Sequence, residues 1–149
     1  MRALIVLILA LHVGFFSKSQ VLINEYSCSN LSTIPDSYGE YEDWIELYNA
    51  GTSSVNLTGW YLSDKSTNLT KWQIPSGSIT PGGYKMVFCS KRNTVNGSEY
   101  HPNFSLSQTE GDWVILANSA GAVADSFKIV HFTKSNHSVG RTLSGASTF

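Results

Sequence analysis

Asp43-Trp44-Ile45-Glu46-Leu47-Tyr48-Asn49 is followed, after a short polar break, by Val55-Asn56-Leu57-Thr58-Gly59-Trp60-Tyr61-Leu62-Ser63-Asp64. Each half alternates large apolar residues with polar or aromatic ones and ends in turn formers, the pattern of two half-buried antiparallel strands. Alternation puts Ile45 and Leu47 on one face, toward a core. Trp44, Glu46 and Tyr48 take the other, which is either a surface patch or the underside of the acidic loop that precedes it.

Working outward, the same logic marks Val21 to Ser27 as a strand and treats Val55 to Ser63 as one strand with Gly59 as a bulge. Leu69 to Ile74 runs up to Pro75, which cannot donate to a ladder. Pro81-Gly82-Gly83 is a tight turn into Tyr84 to Ser90. Lys91 to Pro102 reads as a polar loop, and Phe104 to Leu106, Trp113 to Ala117 and Val123 to Val130 complete the set. Beyond the N-terminal segment no window holds a 3.6-residue apolar period. About eight short strands separated by regular turn signals predict an all-β sandwich or barrel. Trp60, Trp72 and Trp113 are expected to pack, because large aromatics dominate the cores of small β domains.

The N-terminus has a different character. Met1-Arg2, the apolar run from Ala3 to Phe16 and Ser17-Lys18-Ser19 read as a secretory signal peptide cleaved before Gln20. The run is shorter than the roughly 20 apolar residues of a spanning helix. The remainder carries 8 basic and 11 acidic residues, a net charge of −3. It is long enough for one domain with its own core, expected over residues 20–143, with 144–149 as a tail or the start of a linker to further exported sequence.

These segments resemble, in order, the lamin tail domain. Besides the opening pair of strands, the resemblance rests on Leu22-Ile23-Asn24-Glu25, Trp72-Gln73-Ile74-Pro75, Ile79-Thr80-Pro81-Gly82-Gly83-Tyr84, Val123-Ala124-Asp125-Ser126-Phe127 and Val139-Gly140-Arg141. It implies an immunoglobulin-like antiparallel β-sandwich, known from nuclear lamins and, in the form matched here, from many secreted bacterial proteins. It further implies an accessory module that binds or positions rather than catalyses. Some lamin tails are associated with DNA, but phosphate neutralisation needs Lys and Arg. This acidic chain has only Lys91-Arg92 as an adjacent basic pair, so no nucleic-acid partner is expected.

Both cysteines, Cys28 and Cys89, fall in the exported part. A bridge between them is permitted there and would contribute about 4 kcal/mol in the chain-entropy model. Two separately buried thiols fit the sequence equally well. Their spacing resembles the cysteine pair of antibody domains, although Val87 stands where those domains carry a tyrosine.

Chemistry-bearing residues concentrate in Asp36-Ser37-Tyr38-Gly39-Glu40-Tyr41-Glu42-Asp43 and Glu46, five carboxylates in eleven residues. Clustered oxygens on a Gly-containing loop suit calcium, which makes Asp36, Glu40 and Asp43 the candidate ligands, but the spacing fails the EF-hand pattern. The competing expectation is a solvated acidic loop that guards a sheet edge. A glycosidase pair needs carboxyls held apart across a cleft, which one local loop does not supply. His101, His131 and His137 lack metal-ligand spacing, and no nucleophile elbow, phosphate loop or dinucleotide fingerprint is present. No catalytic residues, metal or cofactor are therefore assigned.

Six sequons, at Asn30, Asn56, Asn68, Asn96, Asn103 and Asn136, could carry glycans in a eukaryotic secretory pathway and are otherwise part of a polar surface. The expected function is a secreted or cell-surface binding or adhesion module for a protein or glycan, with Trp44 and Tyr48 as the candidate surface. A structural spacer is the alternative.

Overall fold

The computed structural model describes residues 20–108, 111–129, 132 and 134–149; the expected signal peptide and His131 lie outside them. The described residues form twelve strands and no helix. In chain order these are β1 (Val21–Ser27), β2 (Trp44–Asn49), β3 (Val55–Asn56), β4 (Tyr61–Ser63), β5 (Trp72–Gln73) and β6 (Ser78–Ile79). They continue with β7 (Tyr84–Phe88), β8 (Thr94–Asn96), β9 (Glu99–His101), β10 (Trp113–Ala117), β11 (Val123–Lys128) and β12 (Val139–Gly140).

A six-stranded sheet in the order β12-β1-β2-β7-β9-β8 faces a four-stranded sheet in the order β11-β10-β4-β5, and β3 pairs with β6 separately. All pairings are antiparallel except the single parallel bridge of β7 to β9 at Val87 and Tyr100. This is the expected all-β sandwich. Val21, Ile23, Tyr26, Ile45, Leu47 and Val87 from the larger sheet meet Leu62, Trp72, Val114 and Leu116 from the smaller in one core. A fully buried Leu or Ile contributes about 1.5–3 kcal/mol, so this interface between layers dominates the stability.

Ile45 and Leu47 are completely buried, as alternation requires. Other expectations are corrected in detail. Val55 to Ser63 is two strands in different sheets, because Gly59 sits at φ +82° and Trp60 N–H closes a turn on the Leu57 carbonyl. Phe104 to Leu106 forms no strand, although Phe104 and Leu106 are both in the core. The polar stretch after Lys91 instead holds the β8–β9 hairpin. Trp72 is a core residue and Trp60 packs against the core, but Trp113 is half-buried outside it, with the Lys128 ammonium 5.9 Å from its ring centre.

One irregularity governs the larger sheet. The β1–β2 register shifts between Ile23 and Glu25. Strict alternation from Val21 and Ile23 would send Glu25 inward and Tyr26 outward. The bulge at Asn24 reverses the phase, so that Tyr26 joins the core opposite Ile45 and Glu25 turns to the outer face opposite Glu46.

Candidate functional site

The outer face of the six-stranded sheet is built by the residues that alternation leaves pointing away from the core. Trp44, Glu46 and Tyr48 of β2 stand in register with Phe88, Met86 and Tyr84 of β7 on one side, and with Ser27, Glu25 and Leu22 of β1 on the other. Tyr48 and Tyr84 are in ring contact, with centroids 4.8 Å apart. Tyr84 is exposed and Tyr48 half-buried. Trp44 is more covered than a surface patch implies, at 6 % exposure, and its Nε1 has no hydrogen-bond partner.

The cover over Trp44 comes from the loop before β2. Asn30 organises that loop: its Nδ2 donates to the carbonyls of Ile34 (2.7 Å) and Glu42 (2.9 Å), and its Oδ1 accepts from the Thr33 and Ile34 backbone N–H groups. A second anchor is Asn136, whose Oδ1 accepts from the N–H groups of Leu31 and Ser32. Two hollows result on the sheet face, sharing Ile34 and Met86. One, of about 270 Å³, is lined by Glu25, Trp44, Glu46, His137 and Ser138 among others. The other, of about 310 Å³, lies over Tyr84, Phe88 and Glu99.

Electrostatically the first hollow is acidic. Glu25 and Glu46 face each other across the β1–β2 pair. Asn24 Nδ2 donates to Glu46 Oε1 at 2.8 Å, and the Ser138 hydroxyl donates to Glu25 Oε1. Burial raises the Glu46 pKa, the Asn24 hydrogen bond lowers it in part, and the Glu25 charge adds to the rise. Among the described residues, neither carboxylate has an ion-pair partner.

The acidic loop is tied down from within. Asp36 is buried and turned back on its own loop, its Oδ1 accepting from the N–H groups of Tyr38 and Glu40 at 2.9 Å each. Its Oδ2 faces Arg92 Nη1 at 3.5 Å, and Arg92 also meets Glu42 at 3.0 Å. Glu40 is exposed, and Asp43 is half-buried. Asp36, Glu40 and Asp43 are thus not gathered as ligands, and no group of three or more His, Cys, Asp or Glu side chains suited to a metal occurs among the described residues.

His101, unremarkable in sequence, is completely buried under this loop. Its Nδ1 lies 3.1 Å from Ser90 Oγ and 3.8 Å from Asp36 Oδ2, and its Nε2 lies 3.5 Å from Glu99 Oε2. Serine, histidine and carboxylate are together, but the ring is sealed between Phe88 and Tyr38. With no exposed surface it cannot hand a proton to a substrate. The cluster fastens the acidic loop to β9. Cys28 and Cys89 are held as two buried thiols. Burial pushes the Cys28 thiol up to about 12, with Asp43 and Asp112 adding, and burial likewise raises the Cys89 thiol.

A sandwich of this kind, with its polar clusters turned to holding loops and one outer face left furnished with aromatic and acidic groups, defines an immunoglobulin-like module. The chain belongs to the lamin tail domain family, whose model it matches over residues 16–131, and that family is one of non-enzymatic domains. No curated protein matches the chain.

Proposed function

We propose that this protein is a non-catalytic binding module that acts outside the cytoplasm and recognises a protein or glycan through the outer face of its six-stranded sheet. The observation that carries the reading is the unpartnered, buried Nε1 of Trp44, a residue that lines a hollow together with two carboxylates. A purely structural face would close such groups off, since an orphaned buried donor costs about 1–3 kcal/mol. Tyr48 extends the same face toward Tyr84. The apolar leader read in Ala3 to Phe16 supports export. The sealed environment of His101 supports the absence of catalysis.

Screening the purified protein against immobilised glycans and cell-envelope fractions tests this. Specific retention of a component sustains the binding reading; retention of nothing from either set turns the account to a spacer.

A further inference from the structure

Within the hollow beside Trp44, the arrangement of charge is specific. Like charges set directly opposite on paired strands cost stability, yet the Asn24 bulge brings Glu25 out of the core phase and places it against Glu46. Both carboxylates remain without a cation among the described residues. Two further polar atoms beside them are unpartnered, Asn24 Oδ1 and Trp44 Nε1, in residues that are 8 % and 6 % exposed. Asn24 is tied to the pair through its Nδ2 bond to Glu46, and Trp44 lines the hollow itself.

We propose that this hollow receives the basic side chain, lysine or arginine, of a protein partner. The inference rests on the binding reading above and narrows it. An ammonium or guanidinium group carries only donors, and the carboxylates of Glu25 and Glu46, which line the hollow, offer only acceptors toward it. Trp44 Nε1 has the opposite polarity and suits a carbonyl of the partner's backbone. The hollow, about 270 Å³, is at the small end for a ligand pocket and fits one side chain. A sugar would stack on an open indole face, whereas Trp44 presents almost none of its surface. A hard cation needs six or more oxygens, and no group of three or more His, Cys, Asp or Glu side chains that could hold one occurs among the described residues.

The test is an NMR titration of the full, isotopically labelled protein. It follows the Trp44 indole N–H resonance, assigned with Trp44→Phe, against a capped Gly-Ser-Lys-Ser-Gly peptide and matched peptides with Gln or Glu in place of Lys. The Lys peptide is expected to shift the Trp44 resonance with a dissociation constant of about 1 mM, the scale of a single side-chain contact. High salt should weaken it, because charge attraction is screened. The Glu25→Gln/Glu46→Gln double variant should bind at least about tenfold more weakly while melting no lower than wild type, since it relieves the facing charges. Equal response to the Lys and Gln peptides, or undiminished Lys binding by the double variant, overturns the inference. A glycan or neutral protein retained in the screen would then leave the binding reading standing without it.

Discussion

Arg141 Nη2 stands 2.5 Å from Asp125 Oδ2, and this pair locks the two sheets together where β12 ends and the edge of β1 is open. Asp125, on β11 of the smaller sheet, also accepts from the Ile23 backbone N–H at 2.8 Å, while Arg141 Nε donates to the Ile23 carbonyl at 2.7 Å. Both backbone groups of an edge residue are thereby satisfied by side chains. The exposed strand edge, an aggregation hazard in β proteins, is closed. The same guanidinium donates to the Ala146 carbonyl and lies 4.7 Å from the centre of the Phe149 ring, which packs on Phe127. Residues 144–149, expected from sequence to be a tail, are folded back by these contacts.

Removing the guanidinium leaves the Asp125 carboxylate without its counter-charge and the Ile23 carbonyl without its donor, in a largely buried place. Arg141→Ala should lower the unfolding free energy by about 3 kcal/mol, the usual cost of breaking a buried pair from one side. Arg141→Lys should recover little of it, because one ammonium cannot reach three acceptors set at different angles. Denaturant titration reads both; a loss below about 1 kcal/mol would assign the edge closure to other contacts.

Asp43 makes stability depend on pH in the direction opposite to an ordinary paired carboxylate. Burial pushes its pKa up to about 6 from 3.8; the Asn30 backbone N–H opposes the rise and the Glu42 charge adds to it. In the window between about pH 4 and 6 the folded chain keeps a proton that the unfolded chain has released. Stability from this group therefore falls as pH rises through the window and is level above it. Asp43→Asn should abolish that slope, melting higher than wild type at pH 7 and equally below pH 4. A variant that melts lower at pH 7 would show that the charged form is the one the fold favours.

Cys28 and Cys89 test the redox state of the core. Thiolates are the reactive form, and both thiols are buried with pKa values raised. The native protein should resist iodoacetamide at neutral pH, whereas the denatured chain without reductant should take up two equivalents. Uptake of none on denaturation would show a bridge in place of the thiols.

The Asn30 sequon is occupied by structure rather than available to a glycan. Its carboxamide is buried and makes the hydrogen bonds that shape the loop over Trp44. Asn30→Ala should cost about 2 kcal/mol and lower the melting temperature. In material from a glycosylating host, peptide mapping should find Asn30 bare, while Asn56 and Asn68, both exposed, are open to modification. A glycan on Asn30 in folded protein would contradict the loop geometry.

The layers of this fold were legible because period-two patterns are strong where a strand has one buried face. Ile45 and Leu47 in β2 follow directly from it, while the bounds of β1 and β10 were marked by runs of β-forming residues between turn formers. The hairpin of Thr94 to His101 was hidden by its polarity, although the two-residue Gly97-Ser98 loop after Asn96 is a turn signal that could have revealed it. Trp44 and Tyr48 were readable as outward-facing, but the neighbours that make a site were not. Glu25 reaches Glu46 only through a bulge, and a bulge leaves no mark on composition or alternation. His101 and Asp36 are likewise joined across 65 positions of chain, which local spacing cannot report.

Recognition through one particular face is most directly tested by one disruptive substitution on each of the two outer surfaces. Met86→Lys places a cation at the half-buried centre of the six-stranded face, where the partner's basic side chain would sit, and Lys128→Glu changes the exposed outer face of the other sheet beside Trp113. With both variants melting as wild type does, the component retained in the envelope and glycan screen should be lost by Met86→Lys and kept by Lys128→Glu. Equal retention by the two, or loss only with Lys128→Glu, would contradict the account.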